Sequence, residues 1–119
     1  MLRILLAGND SRLLATRAAV LAKTGASVVY GDARETFDAL DREAFDLVVL
    51  CHSLLELDVA MIADVVHAKI PDAKILMVAV NRDGMDRHSK CDAISMPEPT
   101  ELLARTRELL AGVTVQQYL

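Results

Sequence analysis

The sequence predicts an α/β fold in which a five-stranded parallel sheet is covered by helices on both faces. Three observations predict it. Short apolar runs alternate along the chain with amphipathic stretches of helical period. Those runs are unbroken rather than alternating with polar residues, the pattern of strands buried on both sides. Turn formers follow the runs, as in GND at 8–10 and GD at 31–32.

The elements follow in order. Arg3 to Ala7 (RILLA) is the first strand, closed by the turn residues Gly8, Asn9, Asp10 and Ser11. Asp10 or Ser11 caps a helix that runs to about Lys23 and stops at Thr24-Gly25. Ala26 to Tyr30 is a short, β-branched second strand. Ala33 to Arg42 is a helix with Phe37 and Leu40 on one face. Leu47 to Cys51 is the third strand. Leu57 to Ala68 is a helix, with Leu57, Met61, Ile62, Val65 and Val66 expected inward. Lys74 to Val80 is strand four, and Ala93 to Ser95 a short strand five. Pro99 opens the last helix, with Leu102, Leu103, Thr106, Leu109 and Leu110 inward and Gly112 at its end. One domain over 1–112 and a tail over 113–119 result. Right-handed crossovers and five strands in this length suit the flavodoxin-like order 2-1-3-4-5. Strands one and three are then neighbours, and Gly8-Asn9-Asp10 and Cys51-His52-Ser53 line one pocket at their C-terminal ends.

Composition narrows the function. Of 119 residues 53% are hydrophobic and 3% aromatic, so the core is aliphatic and the chain is not of the disordered class. A net charge of −4 argues against a nucleic-acid surface, which needs clustered Lys and Arg. No apolar run reaches membrane-spanning length. No charged leader precedes the first strand, and the two cysteines, Cys51 and Cys91, lack motif spacing. A cytoplasmic protein with reduced thiols is expected. The turn GND is neither a GxGxxG nor a P-loop motif, so no nucleotide cofactor is expected. No nucleophile–base pair and no paired carboxylates stand out, so no enzyme is expected. His67, near a helix C-terminus, and His88, in a polar loop, read as surface histidines; Asp46 reads as a cap at the start of strand three.

RILLAGND at 3–10, DLVVLCHSL at 46–54, PDAKILMVAV at 71–80 and AISMPEPTELLARTRELL at 93–110, in this order, resemble the receiver domains of bacterial two-component response regulators. The resemblance covers about residues 2–112. It implies the flavodoxin-like fold and a place in a signalling pathway or phosphorelay, with a kinase or regulator as protein partner. It also implies where the chemistry is missing. The acidic pair that holds Mg²⁺ falls on Gly8 and Asn9, with Asp10 one place further on; the phosphoacceptor aspartate falls on Cys51. The hydroxyl after strand four falls on Ala79, the lysine after strand five on Met96, and the aromatic switch residue on Ala93. A glycine, an amide and a thiol do not replace hard oxygen ligands, so no metal is expected. The chain therefore reads as a degenerate receiver that acts by binding protein, without phosphorylation.

The plain reading of Cys51 is a small, nearly apolar filler. The alternative is a redox or small-molecule sensor using the vacated pocket. A reactive thiolate needs a nearby cation, and none is placed by the sequence; a metal site from Cys51, His52 and Asp10 lacks further ligands. Between Val80 and Ala93, NRDGMDRHSKCD holds one large aliphatic residue, Met85, so the fourth helix of the family is expected to be shortened or missing. Strand four would then lose cover. An interaction face of Met85, Ala93, Leu103 and Leu110 is expected, supporting partner docking or a weak homodimer.

Overall fold

A computed structural model describes residues 1–80 and 90–118 of the chain. Five parallel strands, β1 (Arg3–Ala7), β2 (Ser27–Gly31), β3 (Leu47–Cys51), β4 (Lys74–Val78) and β5 (Ala93–Ser95), form one sheet in the order β2-β1-β3-β4-β5. The three central strands are the unbroken apolar runs, and their registers place Ala7 beside Leu50, Cys51 beside Val78, and Val78 beside Ser95. The C-terminal ends of four strands therefore lie along one edge. Short β5 and half-exposed β2 are the sheet's outer strands, which limits the pairing surface offered to other chains.

Four helices cover the sheet: α1 (Ser11–Ala22), α2 (Ala33–Arg42), α3 (Glu56–Lys69) and α4 (Pro99–Tyr118). Strand alternation sends side chains to opposite layers. Ile4, Leu6, Leu47, Val49, Cys51, Leu76 and Val78 pack with Leu14, Leu21, Leu102 and Leu110 of α1 and α4. Leu5, Val48, Leu50, Ile75 and Met77 pack with Leu40, Val59, Ile62 and Val66 of α2 and α3.

Local chemistry sets the helix ends. Asp10 Oδ1 accepts the backbone N–H groups of Arg12 and Leu13, so Asp10 rather than Ser11 is the cap of α1. Gly25, at φ +85°, supplies the left-handed residue beyond its end. Asp32 and Glu35 form a reciprocal capping box on α2. Asp46 accepts the Arg3 N–H at 2.8 Å, tying the starts of β1 and β3 together at the end of the sheet away from the pocket.

Four expectations are corrected. In α3 the buried stripe is Val59, Ile62, Ala63 and Val66, whereas Leu57 and Met61 are exposed. Positions 59, 62, 63 and 66 share one face at helical spacing, and Leu57 falls outside it in the first turn. The last helix does not stop at Gly112 but runs on to Tyr118. Gly112 keeps a negative φ there, and an exposed helical glycine costs only about 1 kcal/mol relative to alanine. Strand four ends at Val78, two residues early. Its residues Ile75, Leu76, Met77 and Val78 are buried on both faces, against α2–α3 on one side and α4 on the other, so among the described residues the expected uncovered patch shrinks to Val80, which lies beyond the strand and is exposed. Met85 and the expected shortening of a helix between β4 and β5 lie outside the described residues.

Candidate functional site

The turns at the ends of β1 and β3 lie side by side, as the strand order requires, and a staple joins them. The Asn9 backbone N–H donates to Ser53 Oγ at 2.9 Å, and Asn9 Nδ2 donates to the Ser53 carbonyl at 3.1 Å. Gly8 is buried beneath this staple. A Cβ on Gly8 would stand 3.0 Å from Ser53 Oγ and 3.1 Å from both Cys51 Cβ and Leu14 Cδ2. A side chain fits there only if these neighbours give by a few tenths of an ångström. Asn9 has committed its amide to Ser53, and Asp10 has committed an oxygen to the α1 cap. Among the described residues, no three His, Cys, Asp or Glu side chains converge as a metal site, so Cys51, His52 and Asp10 are not brought together as one.

Cys51 ends β3 and is 1% exposed. Burial pushes its thiol above the usual 9.0, opposed by the positive charge of Arg17. The expectation that no cation stands near Cys51 is thereby overturned. Arg17 lies on α1 and is only 5% exposed. It occupies the inward stripe Leu14, Arg17, Ala18, Leu21, at helical spacing. That spacing was the available signal: an arginine three residues from one core leucine and four from the next points inward.

His52 is half-buried beside the same guanidinium. Its pKa is lowered by burial first and by Arg17 second, with Asp10 pulling the other way. The imidazole is therefore neutral at pH 7. Its Nδ1 is buried without a hydrogen-bond partner among the described residues, and so is Nη1 of Arg17. The arrangement thus holds a buried cation, a neutral imidazole with an unused nitrogen, and a protonated thiol.

The other positions are less open. Ala79 is buried, and its N–H donates to the Ser95 carbonyl at 2.9 Å. Met96 is half-buried, and its N–H donates to the Glu101 carboxylate. Ser95 was not singled out from sequence; it is a fully buried hydroxyl at the end of β5, donating to the Met96 carbonyl at 2.7 Å. On the expected interaction face, Leu110 is 5% exposed and belongs to the α1–α4 core. Ala93 is half-buried against that core, and Leu103 instead lines a groove of about 280 Å³ with Val20 and Lys23 of α1 and Arg107 of α4. These residues do not form a common face. His67 is exposed in the last turn of α3; His88 lies outside the described residues.

Both cysteines are free and pack in opposite layers. Cys91 is half-buried, and burial followed by the Asp92 charge pushes it up to about 11. Both thiols are therefore protonated at neutral pH, and access decides their rates. Iodoacetamide labelling followed by peptide mapping is expected to modify Cys91 first and Cys51 only as the fold opens; faster labelling of Cys51 would show that Arg17 dominates its chemistry.

No protein-family model matches the chain. No curated protein matches it either. Among solved structures it is similar to a CheY-like response regulator receiver domain protein from Methanospirillum hungatei, with TM-score 0.78 and 21% identity over 98% of each chain. It is also similar to the response regulator protein TrrA from Thermotoga maritima, with TM-score 0.79 and 18% identity over 92% of this chain and 99% of that one. A third similar structure is a pilus assembly-related protein from Burkholderia pseudomallei, with TM-score 0.73 and 21% identity over 93% of this chain and 90% of that one. The chain has the fold of response regulator receiver domains, a five-stranded parallel sheet in the order 2-1-3-4-5 between two helical layers.

Proposed function

We propose that the chain is a receiver-fold signalling module that works through protein contacts and takes up no phosphoryl group. One observation carries this reading. Where a receiver would hold its metal and acceptor, Gly8 carries no side chain and packs tightly against Ser53, Cys51 and Leu14, and the acceptor position is a buried thiol. TrrA was solved with Mg²⁺ and a beryllofluoride group; the residues here offer such a complex no acidic pair, hydroxyl or lysine. The proposed partner is a kinase or regulator of the same pathway, and the proposed site of action is cytoplasmic, consistent with two free thiols. No helix among the described residues is long and apolar enough to cross a membrane. Self-association through the β4–β5 side is not part of the proposal, because β4 is buried on both faces. Nor is catalysis: Cys51 is buried with its thiol held above the usual 9.0, and the sequence pairs no nucleophile with a base.

Amide spectra recorded with Mg²⁺ and beryllofluoride test the reading. No shifts are expected at Gly8, Asn9 or Cys51 beyond those of a salt control. Saturable shifts there would defeat it. Cys51→Asp is expected to remain equally silent, since a carboxylate at that position would pair with Arg17 and still lack an acidic pair to share Mg²⁺.

A second reading, a small-molecule sensor in the same pocket, is favoured by one specific feature. Buried Arg17 has no hydrogen-bond partner for its Nη1 among the described residues, and the turn at His52 and Ser53 is only partly buried.

A further inference from the structure

We propose that copies of this chain dock head to tail, with the acidic, apolar start of α3 from one copy seated in the groove between α1 and α4 of the next. The inference goes beyond the signalling reading, since it names a contact that the chain makes with itself.

The groove has a volume of about 280 Å³ and is lined by Val20 and Lys23 of α1 and by Pro99, Leu103, Ala104 and Arg107 of α4. Pro99, Leu103 and Arg107 are spaced by four, so they lie along one side of their helix. The volume falls below the roughly 300–1,000 Å³ of a small-molecule site. It suits a few side chains of a helix laid along it. Val20 and Leu103 are half-buried and form an apolar floor, while Lys23 and Arg107 are exposed beside them. No carboxylate lines the groove, and among the described residues neither cation is in an ion pair. A chain of net charge −4 thus carries an apolar slot edged by two positive charges. The complement of such a slot is apolar and acidic.

The start of α3 has that chemistry. Leu55 is 67% exposed, Leu57 69% and Met61 47%, so the exposed large hydrophobics of the described residues cluster here. Leu57 and Met61, four apart, share one side of α3, off the buried stripe of Val59, Ile62 and Ala63. Glu56 and Asp58 place two carboxylates in the same turn. Seated in the groove, the apolar side chains cover its floor and the carboxylates face Lys23 and Arg107. Within one copy this contact is out of reach, because α3 packs in the layer across the sheet from α1 and α4. For the same reason two copies do not satisfy both contacts at once. The docking is therefore heterologous, and every added copy leaves one groove and one α3 face open. Its area is that of a few side chains, which places it among weak, transient interfaces.

Sedimentation velocity of the full chain over a concentration series tests this. The weight-average mass is expected to rise with concentration without levelling at the dimer, and to fall when salt screens the charge pairs. Lys23→Glu with Arg107→Glu reverses the groove's charges, and Leu57→Ser with Met61→Ser removes the apolar face. All four positions are exposed, so both variants are expected to keep the fold, with far-UV spectra as the check. Each double variant alone is expected to associate at least roughly tenfold more weakly. Mixed, the two are expected to regain the wild-type affinity but to stop at a 1:1 pair, because one intact groove and one intact α3 face remain. A monomer at every concentration overturns the proposal. So does a plateau at the dimer, wild-type assembly in either variant, or a mixture no more associated than its parts. A monomer whose Val20 and Leu103 amides shift with polyglutamate gives the groove to a foreign acidic segment and likewise overturns it.

Discussion

Gly8→Val is expected to lower the urea midpoint with an unchanged m value, at a cost of about 2–3 kcal/mol, whereas Gly8→Ala costs about 1 kcal/mol. The penalty is steric. Gly8 does not have a positive φ, so its backbone suits any residue. The obstacles are Ser53 Oγ at 3.0 Å and Cys51 Cβ and Leu14 Cδ2 at 3.1 Å. Leu14 and Cys51 belong to the close-packed α1–α4 layer and give little. Ser53 Oγ moves most easily, but it then releases the Asn9 N–H and loosens the staple between the two turns. A valine adds branched carbons in all three directions, so no single rotation avoids the contacts. Should Gly8→Val be neutral, the corner would be soft enough to admit an acidic side chain, and the closed-pocket account would fail.

Arg17→Met is expected to leave the protein as stable as the wild type or more stable, by about 1–4 kcal/mol. Most substitutions at a residue only 5% exposed destabilise, so the sign of this result is informative. Methionine keeps much of the unbranched volume of the arginine stem and fills irregular space between Leu14, Ala18 and Leu21. It removes a buried charge whose Nη1 has no hydrogen-bond partner among the described residues. A loss of more than about 2 kcal/mol would mean that Arg17 serves packing alone.

Much of this fold was legible in the chain because its central strands are single-purpose. Ile4 to Ala7, Leu47 to Cys51 and Ile75 to Val78 are short, unbroken apolar runs buried on both sides. The placement of Gly8, Cys51, Ala79 and Met96 was legible too, since they fall at the ends of strands that the order β2-β1-β3-β4-β5 brings to one edge. What was misread has physical causes. Counting apolar residues in α3 favoured Leu57 and Met61, yet burial selects one face, and small Ala63 lies on it where the larger residues do not. Gly112 was taken as a stop, but a glycine ends a helix by adopting positive φ, and this one does not. Strand four was expected to lose cover, yet its two faces are filled by the α2–α3 and α1–α4 layers. Leu110 was assigned to a docking face although its spacing from Leu102 and Thr106 puts it in the core. Arg17 was passed over because an arginine counts as polar in any periodicity, while its place between Leu14 and Leu21 decides where it points.

The most direct test of the central claim is the intact mass of the protein after incubation with Mg²⁺ and a small phosphodonor such as phosphoramidate, run beside a conventional receiver domain. The account predicts that the receiver gains one phosphoryl group while this protein keeps its mass, in the wild type and in Cys51→Asp alike. A Mg²⁺-dependent gain of one phosphoryl group on the wild-type chain, mapped to the turns around Gly8 and Cys51, would contradict it.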